Sequence, residues 1–151
     1  MRVGIGYDSH RFAEGRRLLL GGVEIEHDRG LAGHSDADVV AHAVIDALLG
    51  ACGLGDLGRH FPPDDEAWRD ADSLDLLRTT LGMLSGPVAN VDVTVICEQP
   101  RLGPHREEME RNLAEALGGP ASVKATTNEG MGFIGRGEGI AAIAVALVDS
   151  E

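Results

Sequence analysis

Asp8, His10 and His42 are the residues of this chain whose types and spacing best suit one divalent metal. Two imidazoles and a carboxylate supply three protein ligands, the number found at catalytic zinc sites that keep a fourth position open. Val3, Ile5 and Tyr7 alternate along Arg2-Val3-Gly4-Ile5-Gly6-Tyr7-Asp8, the pattern of a half-buried strand. In that phase Asp8 and His10 share the opposite face, two residues apart, and His42 must come from an element folded over it.

That element is predicted to be a helix over about residues 36–51. Ser35 and Asp36 suit its N-cap, and Asp36 and Asp38 place negative charge at the positive end of its dipole. Val39, Val40, Ala43, Val44, Ala47, Leu48 and Ala51 form a broad apolar stripe, and Gly50 and Gly53 mark the end. Asp38, His42 and Asp46 recur every fourth residue as a separate polar row, so a carboxylate one turn away can orient the histidine ring.

The other elements follow from the same periodicities. Arg17–Leu20 and Val23–Ile25 flank Gly21-Gly22 as a hairpin with a two-residue turn. A glycine-rich loop, residues 53–58, precedes Phe61-Pro62-Pro63-Asp64-Asp65. A second helix is predicted near 73–84, capped by Asp72 or Ser73, with Leu74, Leu77, Leu81 and Leu84 on one face. Val91, Val93, Val95 and Cys97 alternate with Asp92, Thr94 and Glu98 as a strand. Pro104 suits the first turn of a third helix that buries Met109, Leu113 and Leu117 and stops at Gly118-Gly119. Residues 122–127 form a strand, and the continuous apolar run Ile140–Val148 is a strand of the doubly buried kind. Between those two lie five glycines in ten residues, Gly130 to Gly139, an entropic cost that a plain connection need not carry. No lysine of a Walker loop is present there, which argues against an ordinary nucleotide P-loop.

Length suits one domain, 1–151, of class α+β (α/β) with a single mixed sheet. The formal net charge of −12 argues against nucleic-acid binding, which rests on a basic footprint. A phosphorylated small molecule remains open to an acidic protein that uses metal ions, backbone N–H groups and a few arginines. Nothing in the chain reads as a secretory signal or a bilayer span. Cys52 and Cys97 are expected to be buried free thiols in a reducing cytoplasm.

The motifs fall in one order over nearly the whole chain. They begin with Gly6-Tyr7-Asp8-Ser9-His10, Gly33-His34-Ser35-Asp36-Ala37-Asp38, Asp46-Ala47-Leu48-Leu49-Gly50 and Gly55-Asp56-Leu57-Gly58. Phe61-Pro62, Asn90-Val91-Asp92-Val93-Thr94, Lys124-Ala125-Thr126-Thr127 and Gly132-Phe133-Ile134-Gly135-Arg136-Gly137-Glu138-Gly139 follow. This ordered set resembles the 2-C-methyl-D-erythritol 2,4-cyclodiphosphate synthase family of non-mevalonate isoprenoid synthesis. The resemblance implies an intramolecular phosphoryl transfer that releases CMP from a cytidine diphosphate substrate. It also implies a β-α-β-α-β-β core and a homotrimer whose sheets face the three-fold axis, with active sites at subunit boundaries.

Carried over position by position, the family pattern makes Asp8, His10 and His42 the ligands of one Zn2+ per subunit. Glu129 matches the residue that holds a second ion, Mg2+ or Mn2+, on the substrate diphosphate. His34 and Thr127 match the positions assigned to transition-state stabilisation. Asp8, Ser9 and His10, with His34 and Ser35, border the reacting phosphates, and Asp56, Leu57, Gly58, Phe61, Pro62, Pro63, Asp64 and Asp65 match the methylerythritol region. Cys97 to Gly103 (with Pro100, Arg101, Leu102 and Gly103), Thr126, Thr127, Asn128, Glu129, Phe133 and Arg136 match contacts to the cytidine diphosphate. Three positions depart from the pattern. Pro63 stands where some members have aspartate, Asn128 replaces a threonine, and Ile5 stands where some have a histidine beside a central cavity. His27, His60 and His105 match no catalytic position. Two other readings fit the triad: a zinc hydrolase with Asp46 or Glu129 as base, and a non-catalytic metal-binding trimer.

Overall fold

The computed structural model describes residues 1–150. Its main sheet has five strands in the order β4-β1-β7-β5-β6: β1 is Arg2–Ala13, β4 Gly30–Leu31, β5 Val88–Ile96, β6 Ala121–Thr126 and β7 Gly139–Val148. Only β5 and β6 pair in parallel; β7 runs antiparallel to both β1 and β5. Residues 18–20 (β2) and 23–25 (β3) form a separate two-stranded ribbon. Gly21 and Gly22 take positive φ in its turn, as a tight hairpin of that length requires. The class is α+β, with one main mixed sheet packed against helices.

Helix α1 (Val39–Ala51) lies across β1 and β7, and α3 (Ser73–Leu81) and α4 (Arg106–Leu117) pack beside it on the same side. Helix α1 is capped by Asp38, whose carboxylate accepts the Ala41 N–H, so it starts later than Ser35 or Asp36 would have set it. Ser35 and Asp36 instead order the turn before the helix, accepting the N–H groups of Ala37 and Asp38. Helix α3 ends at Leu81 rather than near 84, and it buries Leu76, Leu77 and Thr80 more deeply than Leu74 or Leu81. Helix α4 follows a 3-10 turn containing Pro104, buries Met109, Leu113 and Leu117, and stops at Gly118 in the left-handed region. Single turns, α2 (Leu57–His60) and α5 (Gly132–Gly135), complete the chain.

The faces of β1 are reversed from the half-buried pattern read in its apolar residues. Val3, Ile5 and Tyr7 are 68%, 71% and 54% exposed, whereas Gly4 and Gly6 are buried against α1. A Cβ on Gly4 would sit 1.9 Å from the Ala47 carbonyl oxygen, and one on Gly6 at the same distance from that of Ala43. The helix therefore packs directly on bare backbone, and the apolar side chains are left on the other side. Strand β7 shares that arrangement: Ile143 and Val145 stand opposite Tyr7 and Ile5 and are exposed, so β7 is not buried on both faces throughout. Cys97 is buried and Cys52 only partly so, and both are free. Burial, with the neighbouring Glu98 charge, pushes the Cys97 thiol up to about 12, so it stays protonated.

Candidate metal and phosphate site

Asp8 and His10 project from the helix-facing side of β1 and meet His42 on the second turn of α1. Asp8 Oδ2 lies 2.7 Å from His10 Nε2 and 3.2 Å from His42 Nδ1, and the two nitrogens are 3.2 Å apart. The far ring nitrogens are engaged elsewhere. His10 Nδ1 donates to the Ala32 carbonyl at 2.7 Å, which leaves the Nε2 lone pair facing the cluster. His42 Nε2 donates to Ser73 Oγ at 2.8 Å, with Ser35 Oγ at 3.2 Å, and the Ser73 hydroxyl in turn donates to Asp36. Both imidazoles thus offer lone pairs toward one point, beside a carboxylate. This donor set could hold one metal ion, and the outer hydrogen bonds of both rings are already made.

Burial raises the Asp8 carboxyl, but hydrogen bonds and charge from His10 and His42 outweigh it and hold the group down at about 2. Burial also lowers His10, and its bond to Asp8 more than reverses that, so its pKa is raised.

The row of Asp38, His42 and Asp46 divides its work differently from the spacing argument. Asp38 is wholly buried and accepts the N–H groups of Gly21, Gly22 and Ala41, tying the hairpin turn to α1 and leaving nothing for the histidine ring. Ser73 and Asp36 orient the ring instead. Ser73 had been legible only as a helix start, because its link to His42 spans 31 residues. Asp46 accepts the Leu57 N–H at 2.7 Å and so fixes α2, which weakens it as a hydrolytic base.

Two clefts open at the same end of the sheet. A cleft of about 200 Å³ holds Asp8, His10, His34, Ser35, His42, Leu57, Gly58, Phe61 and Pro63. Phe61 is buried edge-on to Trp68, with ring centroids 5.0 Å apart, and His34 Nε2 donates to the Asp65 carbonyl. Asp56 caps α2, while Pro62 and Asp64 lie outside the lining. Ser9 alternates onto the bare face of β1, away from this cleft. The second cleft, about 400 Å³, is lined by Cys97, Glu98, Pro100 to Pro104 and Ala125 to Thr127. Glu98 Oε1 accepts the N–H groups of Asn128 and Gly130 and shapes the turn where Glu129 takes a φ of 54°. Arg136 lines a third hollow, with His27 and Arg29, and pairs with Glu138 at 2.9 Å; Phe133 is exposed.

The chain does not bring His34 and Thr127 into one cleft. Asp8 and His10 lie in the second half of β1 and Thr126 ends β6, and β7 and β5 lie between them. Three strand spacings separate the two by roughly 14 Å.

A protein from Salinibacter ruber named 2-C-methyl-D-erythritol 2,4-cyclodiphosphate synthase is 58% identical, over 99% of both chains. A bifunctional IspD/IspF enzyme from Anaeromyxobacter is 60% identical over 97% of this chain, which spans 39% of that enzyme. A solved structure of 2C-methyl-D-erythritol-2,4-cyclodiphosphate synthase in a CDP-bound form superimposes with a TM-score of 0.89. It is 36% identical and is covered at 98% of this chain and 100% of that one. Residues 1–149 match the model of the YgbB family, and with these relatives at full length the chain belongs to that family.

Proposed function

We infer that this chain converts 4-diphosphocytidyl-2-C-methyl-D-erythritol 2-phosphate into 2-C-methyl-D-erythritol 2,4-cyclodiphosphate and CMP, a step in non-mevalonate isoprenoid precursor synthesis. It acts as a phosphorus–oxygen lyase, with residues 1–151 as one synthase domain. The observation that carries this reading is the metal-ready cluster of Asp8, His10 and His42, on a chain matched end to end by a synthase of that name.

The donor chemistry assigns two ions. Asp8, His10 and His42 suit Zn2+, whereas Glu129 with diphosphate oxygens suits a harder ion, Mg2+ or Mn2+. Such ions, when bound, supply Lewis-acid withdrawal of charge from the phosphoryl oxygens. The protein's own groups place the substrate. His34 and Ser35 border the 2-phosphate, whose oxygen forms a bond to the β-phosphorus as the bond to the α-phosphate breaks and CMP departs. His34 and Thr127 stabilise the charge that spreads over the transferring group. Asp56 to Gly58 and Phe61 to Asp65 hold the methylerythritol, and Pro100 to Gly103 and Thr126 to Glu129 hold the cytidine diphosphate. The CDP-bound form of a relative supports that substrate class. No helix among the described residues is long and apolar enough to cross a membrane, and the free thiols support a cytoplasmic setting.

The exposed sheet face supports a homotrimer. Val3, Ile5, Tyr7, Ile143 and Val145 form a contiguous exposed apolar surface, the kind that marks an interaction site. Closed three-fold packing would cover it and set the triad cleft of one subunit beside the Thr126–Glu129 cleft of the next. The shared site is tested by complementation between two inactive variants, His42→Ala and Glu129→Gln. When they are refolded together in equal amounts, about one boundary in four pairs an intact His42 with an intact Glu129. The mixture is expected to regain roughly a quarter of wild-type activity, while each variant refolded alone stays inactive. Confirmed subunit exchange with no return of activity would place the whole site within one chain.

A further inference from the structure

We propose that Arg16 is a positioning residue for the loop that presents His34 and Ser35 to the transferring phosphate. The proposal rests on the reading of that loop given above. The Arg16 guanidinium donates to the Gly33 carbonyl at 2.9 Å through Nη1 and to the Ser35 carbonyl at 2.6 Å through Nη2. Between them, the His34 carbonyl accepts the Asp70 N–H at 2.9 Å. Three successive carbonyls are therefore held on the side away from the cleft reaction.

In a trans peptide the C=O and N–H point in opposite directions. Holding the Gly33 and His34 carbonyls consequently turns the His34 and Ser35 N–H groups away from Arg16 and Asp70. Neither N–H has a protein partner among the described residues, and both residues line the triad cleft. The arrangement leaves two backbone donors available to an anionic oxygen beside the metal cluster. The clamp also fixes the His34 ring from its backbone, while the Asp65 carbonyl fixes the ring itself at 2.9 Å.

The fork of a guanidinium is what the geometry uses. Its two nitrogens bridge carbonyls separated by a whole residue, a span that a single ammonium cannot reproduce. Arg17, its neighbour in sequence, makes no such bridge; it is exposed and reaches only Glu24, at 3.5 Å. Arg16 touches no reacting atom in this scheme. It acts through the loop.

The test compares Arg16→Ala, Arg16→Lys and Arg17→Ala in the full-length protein. Arg16→Ala is expected to lower kcat on the order of 10²-fold, the scale of a small misplacement of reacting groups. Metal content and KM should stay close to wild type, added guanidinium ion should restore part of kcat, and Arg16→Lys should not. Arg17→Ala should keep wild-type kcat. A second arm needs no turnover. The Asp36 and Asp70 amides, bonded to the Ala71 and His34 carbonyls, should exchange with solvent roughly tenfold faster or more in Arg16→Ala. If Arg16→Ala does not fold, Arg16→Gln, which keeps a polar side chain but has no two-nitrogen fork, carries both arms. Wild-type kcat or unchanged exchange in the alanine or glutamine variant overturns the assignment, as does full rescue by lysine. A wild-type protein that does not cyclise the substrate would defeat the functional reading alone, and the exchange arm would still decide the role of Arg16.

Discussion

Replacing His42 by alanine is expected to abolish zinc retention and turnover together while leaving the fold intact. His42 supplies one of three converging ligand atoms, and its ring is held at the far nitrogen by Ser73. Removing it leaves Asp8 and His10, whose mutual hydrogen bond at 2.7 Å then closes without competition from a cation. Lewis-acid stabilisation of several kcal/mol corresponds to a loss of roughly 10³-fold or more in turnover. The graded version is Ser73→Ala, which keeps all three ligands but frees the His42 ring; metal affinity should fall roughly 10- to 100-fold. Zinc uptake should also release protons, because the bond to Asp8 raises the pKa of His10 above its ordinary value. Metal analysis and calorimetry in buffers of different ionisation enthalpy measure both effects. Full zinc occupancy in His42→Ala would show the ligand assignment to be wrong.

Gly6→Ala is expected to be strongly destabilising, as is Gly4→Ala, which meets the same helix. The carbon added at Gly6 would lie 1.9 Å from the Ala43 carbonyl oxygen and 2.7 Å from the Ala47 nitrogen, both backbone atoms of the helix that carries His42. Neither atom can rotate away, so α1 must lift from the sheet by more than an ångström. Overpacking of this kind costs about 3–5 kcal/mol, a large share of the stability of a domain this size. Gly50→Ala is the matched control. Its new carbon meets nothing closer than the Ile5 carbonyl oxygen at 3.7 Å, and exposed helical glycine to alanine gains up to about 1 kcal/mol. Urea unfolding should separate the two in opposite directions from wild type. A Gly6→Ala midpoint equal to wild type would mean that α1 does not rest on bare backbone.

The strand phase of β1 was legible because alternation has period two, and Asp8 and His10 do share a face. Which face was buried was not legible. Alternation of Val3, Ile5 and Tyr7 with glycine says that the two sides differ, and hydrophobicity assigns the apolar one to the core. Here the glycine side wins, since only glycine admits a helix so close, and the apolar side is left to another surface. The hairpin, α4 and its glycine stop followed from local rules, because their determinants lie within a few residues. The N-cap of α1 did not. Asp36 and Asp38 are equally good caps, and the choice depends on the Gly21 and Gly22 N–H groups that reach Asp38. Ser73 escaped for the same reason, acting on a residue about thirty positions away. That Asp8, His10 and His42 come together could be read because histidine is scarce in the chain and chemically specific. Their division from the Thr126–Glu129 cleft depends on β7 inserting between β1 and β5, which no local pattern encodes.

The most direct measurement supplies the purified, metal-replete protein with 4-diphosphocytidyl-2-C-methyl-D-erythritol 2-phosphate in ¹⁸O-labelled water and reads the product masses. Intramolecular transfer predicts CMP and a cyclic diphosphate in equal amounts, neither carrying the label, because no water enters the new phosphorus–oxygen bond. Label in either product, or an opened diphosphate in place of the ring, would contradict the cyclase account and assign the cluster to hydrolysis.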